Sequence, residues 1–414
     1  MSGLNAVRGT RDLLPADARR HRHVVETARS LAERYGYLEV HTPILELSEV
    51  FRRTLGETSD VVTKEMYTFV DKGGDSVTLR PEATAGLARA LITGGLAQDL
   101  PLKVFTHGPM FRYERPQKGR LRQFHQIDVE LLGVPEPQGD VEVIALGAHI
   151  LEELGVLGAT VLELNTLGDR ESREAYRGAL VAYLDGHRAV LSEDSLARLA
   201  RNPLRILDSK DEGDRAIIAG APVFTDYLNT VSRDFFAAVT EALKALGIAY
   251  SLNTRLVRGL DYYCHTAFEF TTTALGSQGA VLAGGRYDGL VETMGGPRVA
   301  GIGWAAGIER LAMLLAQPPA ALRPVALVPI GAQAECVATG LAAQLRRAGF
   351  AVELGYKGKL AQRMKRADKL GAAAAVLIGE DELKAGTATV RDLDTGAQET
   401  VALSALDQRL ARYR

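Results

Sequence analysis

Apolar and polar positions along this chain change period several times, and each change marks a predicted element. Residues 16–35 carry apolar side chains at helical spacing and stop at Gly36, which predicts an amphipathic helix closed by a glycine turn. Residues 37–47 then predict a strand with Pro43 inside it; proline removes a ladder donor, so this strand belongs at an edge or an interface. Residues 66–70 and 76–79 predict a hairpin around Gly73 and Gly74. Arg80, Pro81, Glu82, Ala83 and Thr84 follow as a helix start with proline near the first turn. Residues 111–114 and 122–130 alternate on either side of a basic tip, Pro116, Gln117, Lys118, Gly119 and Arg120, and predict a second hairpin. Residues 138–157 predict a helix and 160–166 a strand. The stretch 169–222 is helical but irregular, with 209–214 (SKDEGD) as an exposed turn. Residues 224–246 predict one helix, 248–253, 266–270 and 280–283 short strands, and 299–315 a strand passing into a helix.

After Gln317, Pro318 and Pro319 the texture changes. Strands at 325–330, 352–354, 373–378 and 388–392 interleave with helices at 335–348 and 360–369, which predicts a separate small α/β domain. A chain of 414 residues is too long for one ordinary core. Its 46% hydrophobic and 24% charged residues are a soluble globular mixture, and no run of 18 apolar residues or signal peptide is read in it. With a formal net charge of -2, any nucleic-acid contact must come from local basic patches. Cys264 and Cys336 offer no disulfide framework and no paired metal motif, which fits a reducing cytoplasm.

The second hairpin organises the candidate chemistry. One face presents Arg112, Glu114, Phe124, Gln126 and Glu130, a mixture that suits either a charged, base-bearing ligand or a solvated hairpin. Glu82 reads either as an acid complementing a helix dipole or as a carboxylate that grips an amine. Further on, Arg258 precedes the pair Tyr262 and Tyr263, and Gly284 to Gly289 (GGRYDG) predicts a tight turn where the backbone approaches something closely. That block reads either as a glycine hairpin with one buried arginine, Arg286, or as a phosphate pocket. Gly301, Gly303 and Ala306 match the dinucleotide pattern, but no βαβ unit surrounds them and no acid stands at the ribose position. No P-loop occurs, so an ATP site must be of another kind. His21 and His23 do not share a helix face and read as solvated, without a metal. Lys359, Arg363, Lys365, Arg366 and Lys369 form a basic helix, read either as a solvated face or as an RNA-contacting one.

The segments FRYERPQKGRLRQFHQ, LVRGLDYY with AGGRYDGL, and GIGWAAGIERL resemble the motifs of the histidyl-tRNA synthetases, a class II aminoacyl-tRNA synthetase family. The resemblance runs from Val7-Arg8-Gly9-Thr10 into the C-terminal domain and is weakest over 169–222. It implies an α+β catalytic domain on a mixed, mostly antiparallel sheet, a helical insertion and a C-terminal α/β anticodon-binding domain. The bounds would be 1–168 and 223–317 for the catalytic domain, 169–222 for the insertion and 325–414 for the last.

The implied activity is ATP-dependent activation of L-histidine to histidyl-adenylate, then transfer to the 3′ end of tRNA(His). By the same resemblance Arg112 and Arg258 grip the α-phosphate as the catalytic pair. Arg120 and Arg310 hold the β- and γ-phosphates with Mg²⁺, Phe124 stacks on adenine, and Glu114 belongs to the ATP site. Glu82, Thr84 and Gln126 take the α-ammonium, with Ala83 beside them. Arg258 and Gln126 take the carboxylate, Glu130 and Tyr263 the imidazole nitrogens, and Tyr262 lines the pocket. Gln117, Lys118 and Arg122 approach the tRNA acceptor end. A cytoplasmic homodimer joined through the first helix and strand is implied, with no membrane association. A rival is the catalytically inactive paralogue that serves as regulatory subunit of ATP phosphoribosyltransferase; such proteins usually lack the C-terminal domain and the key arginines. Tyr113 stands where many members have histidine, and Cys264 follows the tyrosine pair as a thiol that could sense oxidation at the pocket.

Overall fold

A computed structural model describes residues 4–56, 59, 61–209, 211–257, 262–276, 279–317 and 319–414. The chain folds as two compact units, Met1–Pro319 and Ala320–Arg414. The first is built on an eight-stranded sheet. From edge to edge its strands are Leu38–Glu39, Leu102–Phe111, Gln123–Leu132, Gly301–Gly307, Ala280–Arg286, Cys264–Thr271, Val161–Thr166 and Ser251–Leu252. The outermost pair at each edge is parallel and every inner pair antiparallel, so the sheet is mixed and mostly antiparallel.

The hairpin of Leu102–Phe111 and Gln123–Leu132 shows why one sheet face becomes a site. Side chains alternate along a strand, so Ile127, Val129 and Leu131 turn inward. There they join Val24, Ala28, Leu31 and Ala32 of the Pro15–Arg34 helix and Ile144, Ala148 and Leu151 of the Pro137–Glu153 helix in one core. The even positions are left for the opposite face. Burying each such aliphatic side chain contributes about 1.5–3 kcal/mol. The two helices therefore anchor the floor of the site from behind.

Several predicted elements are corrected. The first strand of this hairpin lies upstream, at Leu102–Phe111, and 112–122 is a loop with a single Gln117–Arg120 bridge. Residues 37–47 are two short strands in different sheets: Leu38–Glu39 pairs with the large sheet, while Leu45–Leu47 joins Ser76–Leu79 and Tyr67–Val70. Pro43 stands between them, where no ladder donor is needed. The helix after Arg80 begins only at Thr84. The predicted 224–246 helix is a short turn, Phe224–Tyr227, followed by Thr230–Ala245, whose Asn229 cap accepts from the Ser232 amide.

Gly284 and Gly285 are not in a turn but inside the strand Ala280–Arg286. A Cβ on Gly284 would strike the Gly303 carbonyl across the sheet, so the close backbone approach was legible while its setting was not. The segment 209–214 is not simply an exposed turn either. Asp214 is buried, and against that burial the Ser192 amide and the hydroxyls of Ser195, Ser209 and Ser192 donate to it and hold its carboxyl down at about 2. That knot closes a core of its own, with Tyr176, Leu180, Leu184, Ile206 and Phe224.

The second unit carries a five-stranded sheet in the order Val352–Leu354, Val325–Pro329, Ala374–Ile378, Thr387–Asp392, Gln398–Ala402. Three strands are parallel and two antiparallel. The helices Ala332–Arg347 and Leu360–Lys369 lie where periodicity put them, whereas Gln398–Ala402 and the short helices Glu380–Ala385 and Leu406–Leu410 were not foreseen. On the basic helix Arg363 turns inward to the carbonyls of Gly358 and Pro329 and to Glu335, and Arg366 pairs with Glu353. Lys359, Lys365, Arg366 and Lys369 remain exposed, Arg366 while paired.

Candidate active site

One pocket opens on the even face of the central hairpin. Phe124, Gln126, Asp128 and Glu130 form its floor, spaced two residues apart along one strand. Arg112, Glu114 and Arg120 enter from the loop, Glu82 and Thr84 from the start of the Thr84–Thr93 helix, Tyr262 and Tyr263 from the opposite side, and Arg310 from the Ile308–Leu314 helix.

Basic and acidic groups separate along the floor. At the Phe124 end three guanidiniums converge. Arg112 donates to the Pro81 carbonyl at 2.9 Å and its guanidinium lies 5.3 Å from the Phe124 ring centre. Arg120 pairs with the Glu114 carboxylate. Arg310 donates to the carbonyls of Gly119 at 3.0 Å and Ala280 at 2.6 Å. Burial, and then the like charges of Arg112 and Arg120, push the Arg310 guanidinium below its ordinary pKa. Cations held together at such a cost mark a place prepared for an anion.

At the other end three carboxyl groups are buried: Glu82 is 6% exposed, Asp128 1% and Glu130 2%. Glu82 caps the helix start, accepting from the amides of Thr84 at 2.9 Å and Ala85 at 2.8 Å. The helix-complementing reading of Glu82 is thus seen directly, and the same side chain also lines the pocket. Ala83 is fully buried beneath it, and its carbonyl takes the Leu87 amide. Glu130 accepts from the Thr84 hydroxyl at 2.5 Å and from the Tyr287 hydroxyl. Burial raises its carboxyl to about 8 despite these donors. The floor is pressed so closely that a Cβ at Gly303 would overlap the Glu130 carboxylate, which is why glycine stands there.

Of the residues singled out from sequence, Glu82, Thr84, Arg112, Glu114, Arg120, Phe124, Gln126, Glu130, Tyr262, Tyr263 and Arg310 line this one pocket. Arg258 lies outside the described residues. Gln117 and Lys118 are exposed at the loop tip, away from the pocket lining. Arg122 folds back, 3.8 Å above the Tyr113 ring, with its amide donating to the Gly9 carbonyl at 2.7 Å. The Val7–Thr10 segment thereby props the loop.

Other expectations change. Arg286 holds no phosphate: it is fully buried against Asp140 and also pairs with Asp288 at 3.0 Å, so the buried-arginine reading is the correct one. Gly301, Gly303 and Ala306 sit in an antiparallel strand, not at a helix N-terminus, which disposes of the dinucleotide pattern. His21 is not solvated. It is 7% exposed, and its ring meets His125 edge-on at 5.5 Å. Glu309 grips the neighbouring strand there, accepting from both the amide and the ring nitrogen of His125. Cys264 lines a different cavity, and burial pushes its thiol pKa up to about 12.

Asp128 and Tyr287 were missed. Strict alternation between Gln126 and Glu130 would have found Asp128. Nothing local to GGRYDG signals that Tyr287 reaches Glu130, 157 residues away.

Residues 9–311 match the family model described as Histidyl-tRNA synthetase, and 324–412 match an anticodon binding domain. A curated relative from Rhodospirillum rubrum, named histidine–tRNA ligase, is 62% identical over 414 residues and 100% of both chains. One of the same name from Gluconacetobacter diazotrophicus is 57% identical over 99% of both. The solved apo S. aureus histidyl-tRNA synthetase superposes with a TM-score of 0.83 at 36% identity, covering 98% of this chain and 99% of that one. A class II catalytic fold, an anticodon-binding domain and full-length likeness at these identities converge on one statement: the chain belongs to the histidyl-tRNA synthetase family.

Proposed function

We infer that this chain is an aminoacyl-tRNA ligase that activates histidine with ATP and transfers it to tRNA. Family membership carries the activity. The observation that supports siting it in this pocket is the polar split of its floor, with guanidiniums around Phe124 and buried carboxyls around Glu130.

A histidine lying along the strand would set its imidazole at Glu130 and Tyr263 beside Tyr262, its ammonium toward Glu82, Thr84 and Gln126, and its carboxylate toward Arg112, Gln126 and Arg258. ATP would stack its adenine on Phe124 beside Glu114, with Arg112 and Arg258 on the α-phosphate and Arg120 and Arg310 on the terminal phosphates. The histidine carboxylate oxygen then attacks the α-phosphorus and the bond to the β-phosphate oxygen breaks, releasing pyrophosphate. The nucleophile is already an anion, so no general base is required and the obstacle is charge repulsion. Two unit charges about 4 Å apart are worth roughly 4 kcal/mol at an effective dielectric of about 20. Two arginines so placed account for several decades of rate.

Glu114 and Glu269, at the nucleotide end, are hard oxygen donors of the kind Mg²⁺ accepts. Mg²⁺ arriving with ATP would neutralise phosphate charge there. Because Glu130 and its partners are built to pair ring nitrogens, an apolar analogue would strand them, a penalty of roughly 10⁴–10⁵ in selectivity.

The exposed Gln117 and Lys118, with Arg122 behind them, would meet the acceptor end of tRNA(His). Exposed Leu38 (73%), Leu45 (49%) and Leu47 (54%) support a homodimer joined through this segment and the first helix. No helix among the described residues is long and apolar enough to cross a membrane, which fits the proposed cytoplasmic location. The regulatory-subunit reading is not favoured, since full-length relatives are ligases and Arg112, Gln126 and Glu130 all line the pocket. The test is histidine-dependent ATP–pyrophosphate exchange, with the other amino acids as controls. Exchange with histidine alone, lost in Arg258→Ala and Arg112→Ala, is expected; exchange undiminished in both would refute the assignment of the arginines.

A further inference from the structure

The buried acceptors on the pocket floor do not balance. Glu82 commits both oxygens to helix amides, and Glu130 commits both to hydroxyls. Asp128, the least exposed of the three at 1%, has no hydrogen-bond partner on either carboxyl oxygen among the described residues. The buried Oε1 of Gln126, two residues earlier on the same face, is likewise without a donor. The Thr106 hydroxyl, which stands opposite Asp128 in the hairpin register, is itself unpartnered and so does not satisfy it. Buried acceptors left open inside a ligand pocket are costly unless the ligand brings the donors.

We propose that Asp128 is a histidine-binding residue that, with the Gln126 carbonyl oxygen, accepts the substrate's α-ammonium group. This rests on the reading of the pocket as the histidine and ATP site, and it adds to that site a contact which neither family motif nor spacing assigned. Position along the strand supports it. Alternate residues on a strand are about 6.8 Å apart, so Asp128 lies midway between Gln126, at the carboxylate, and Glu130, at the imidazole. In histidine the α-carbon and its nitrogen lie between those same two groups. An ammonium carries three N–H donors; the open Gln126 Oε1 and an open Asp128 oxygen would take two of them, leaving the third for the Glu82 and Thr84 side of the pocket. Burial, and next the neighbouring Glu130 and Glu82 carboxyls, raise the Asp128 pKa well above its usual value, while Arg80 and Arg112 oppose this. A cation entering the pocket relieves that cost.

The test compares wild type and Asp128→Asn in histidine-dependent exchange, with two competitive inhibitors as probes. Histamine keeps the amine and lacks the carboxylate; imidazolepropionate keeps the carboxylate and lacks the amine. Asp128→Asn should raise the KM for histidine and the Ki for histamine by about 10- to 150-fold, the span of one charge-assisted hydrogen bond. The Ki for imidazolepropionate and the KM for ATP should hardly move. The ratio of the two Ki values is measured on whatever fraction of the variant is folded, so loss of protein cannot imitate the result. If both inhibitors weaken equally, Asp128 serves only the shape of the pocket, and if neither weakens, a buried water satisfies it; either outcome overturns the proposal. Absence of histidine-dependent exchange in wild type would instead sink the reading of the pocket itself.

Discussion

Glu130 offers the most demanding test of how this pocket is built. Its carboxyl rises from 4.5 to about 8 because it is buried, even though Thr84 and Tyr287 donate to it. A carboxyl whose folded pKa is raised binds more protons in the native than in the unfolded state. Its contribution to stability is therefore full below about 4.5 and is lost as pH climbs through about 8. The gap, 8 minus 4.5, is 3.5 units, and at about 1.4 kcal/mol per unit the loss is of order 5 kcal/mol. Glu130→Gln copies the protonated shape and cannot ionise. The variant should equal or slightly trail wild type at pH 5 and exceed it by a few kcal/mol at pH 9, without ligand. The chain's single tryptophan makes this measurable. Trp304 is 2% exposed, donates to the Val143 carbonyl at 2.9 Å and sits in the strand paired with Glu130's own. Denaturant unfolding followed by its fluorescence reports on this unit alone. Wild-type and variant stabilities that run parallel from pH 5 to pH 9 would refute the buried, proton-holding Glu130.

Three further outcomes follow from contacts already described. Gly303→Ala puts a methyl group on the Glu130 carboxylate, so the KM for histidine in the exchange assay should rise more than tenfold while that for ATP changes little. Tyr287→Phe removes a donor to Glu130, which should weaken histidine binding by calorimetry by about 1–3 kcal/mol and shift the pH-dependent loss of stability upward. Arg286→Met leaves the fully buried Asp140 without its partner, and tryptophan-monitored unfolding should show a loss of about 3–5 kcal/mol, most of it recovered by adding Asp140→Leu.

Local geometry made much of this protein legible. Period-two alternation put Phe124, Gln126 and Glu130 on one face, because the direction of a strand side chain depends only on its own backbone. Helical spacing placed Pro15–Arg34 and Leu360–Lys369 within a residue of their ends for the same reason. Motifs around Arg112, Tyr262 and Gly303 carried the family. What the chain alone left open depends on which elements become neighbours. Whether Arg286 holds an anion or a core was decided by Asp140, 146 residues distant, and whether His21 is wet was decided by a strand and a helix far along the chain. Glu130 draws its donors from 46 residues before it and 157 after it. Burial and hydrogen-bond partnership are properties of the packed assembly, and the raised pKa values of Glu82, Asp128 and Glu130 follow from them; residue type and spacing name the side chains that meet, while packing alone sets what state they hold when they do.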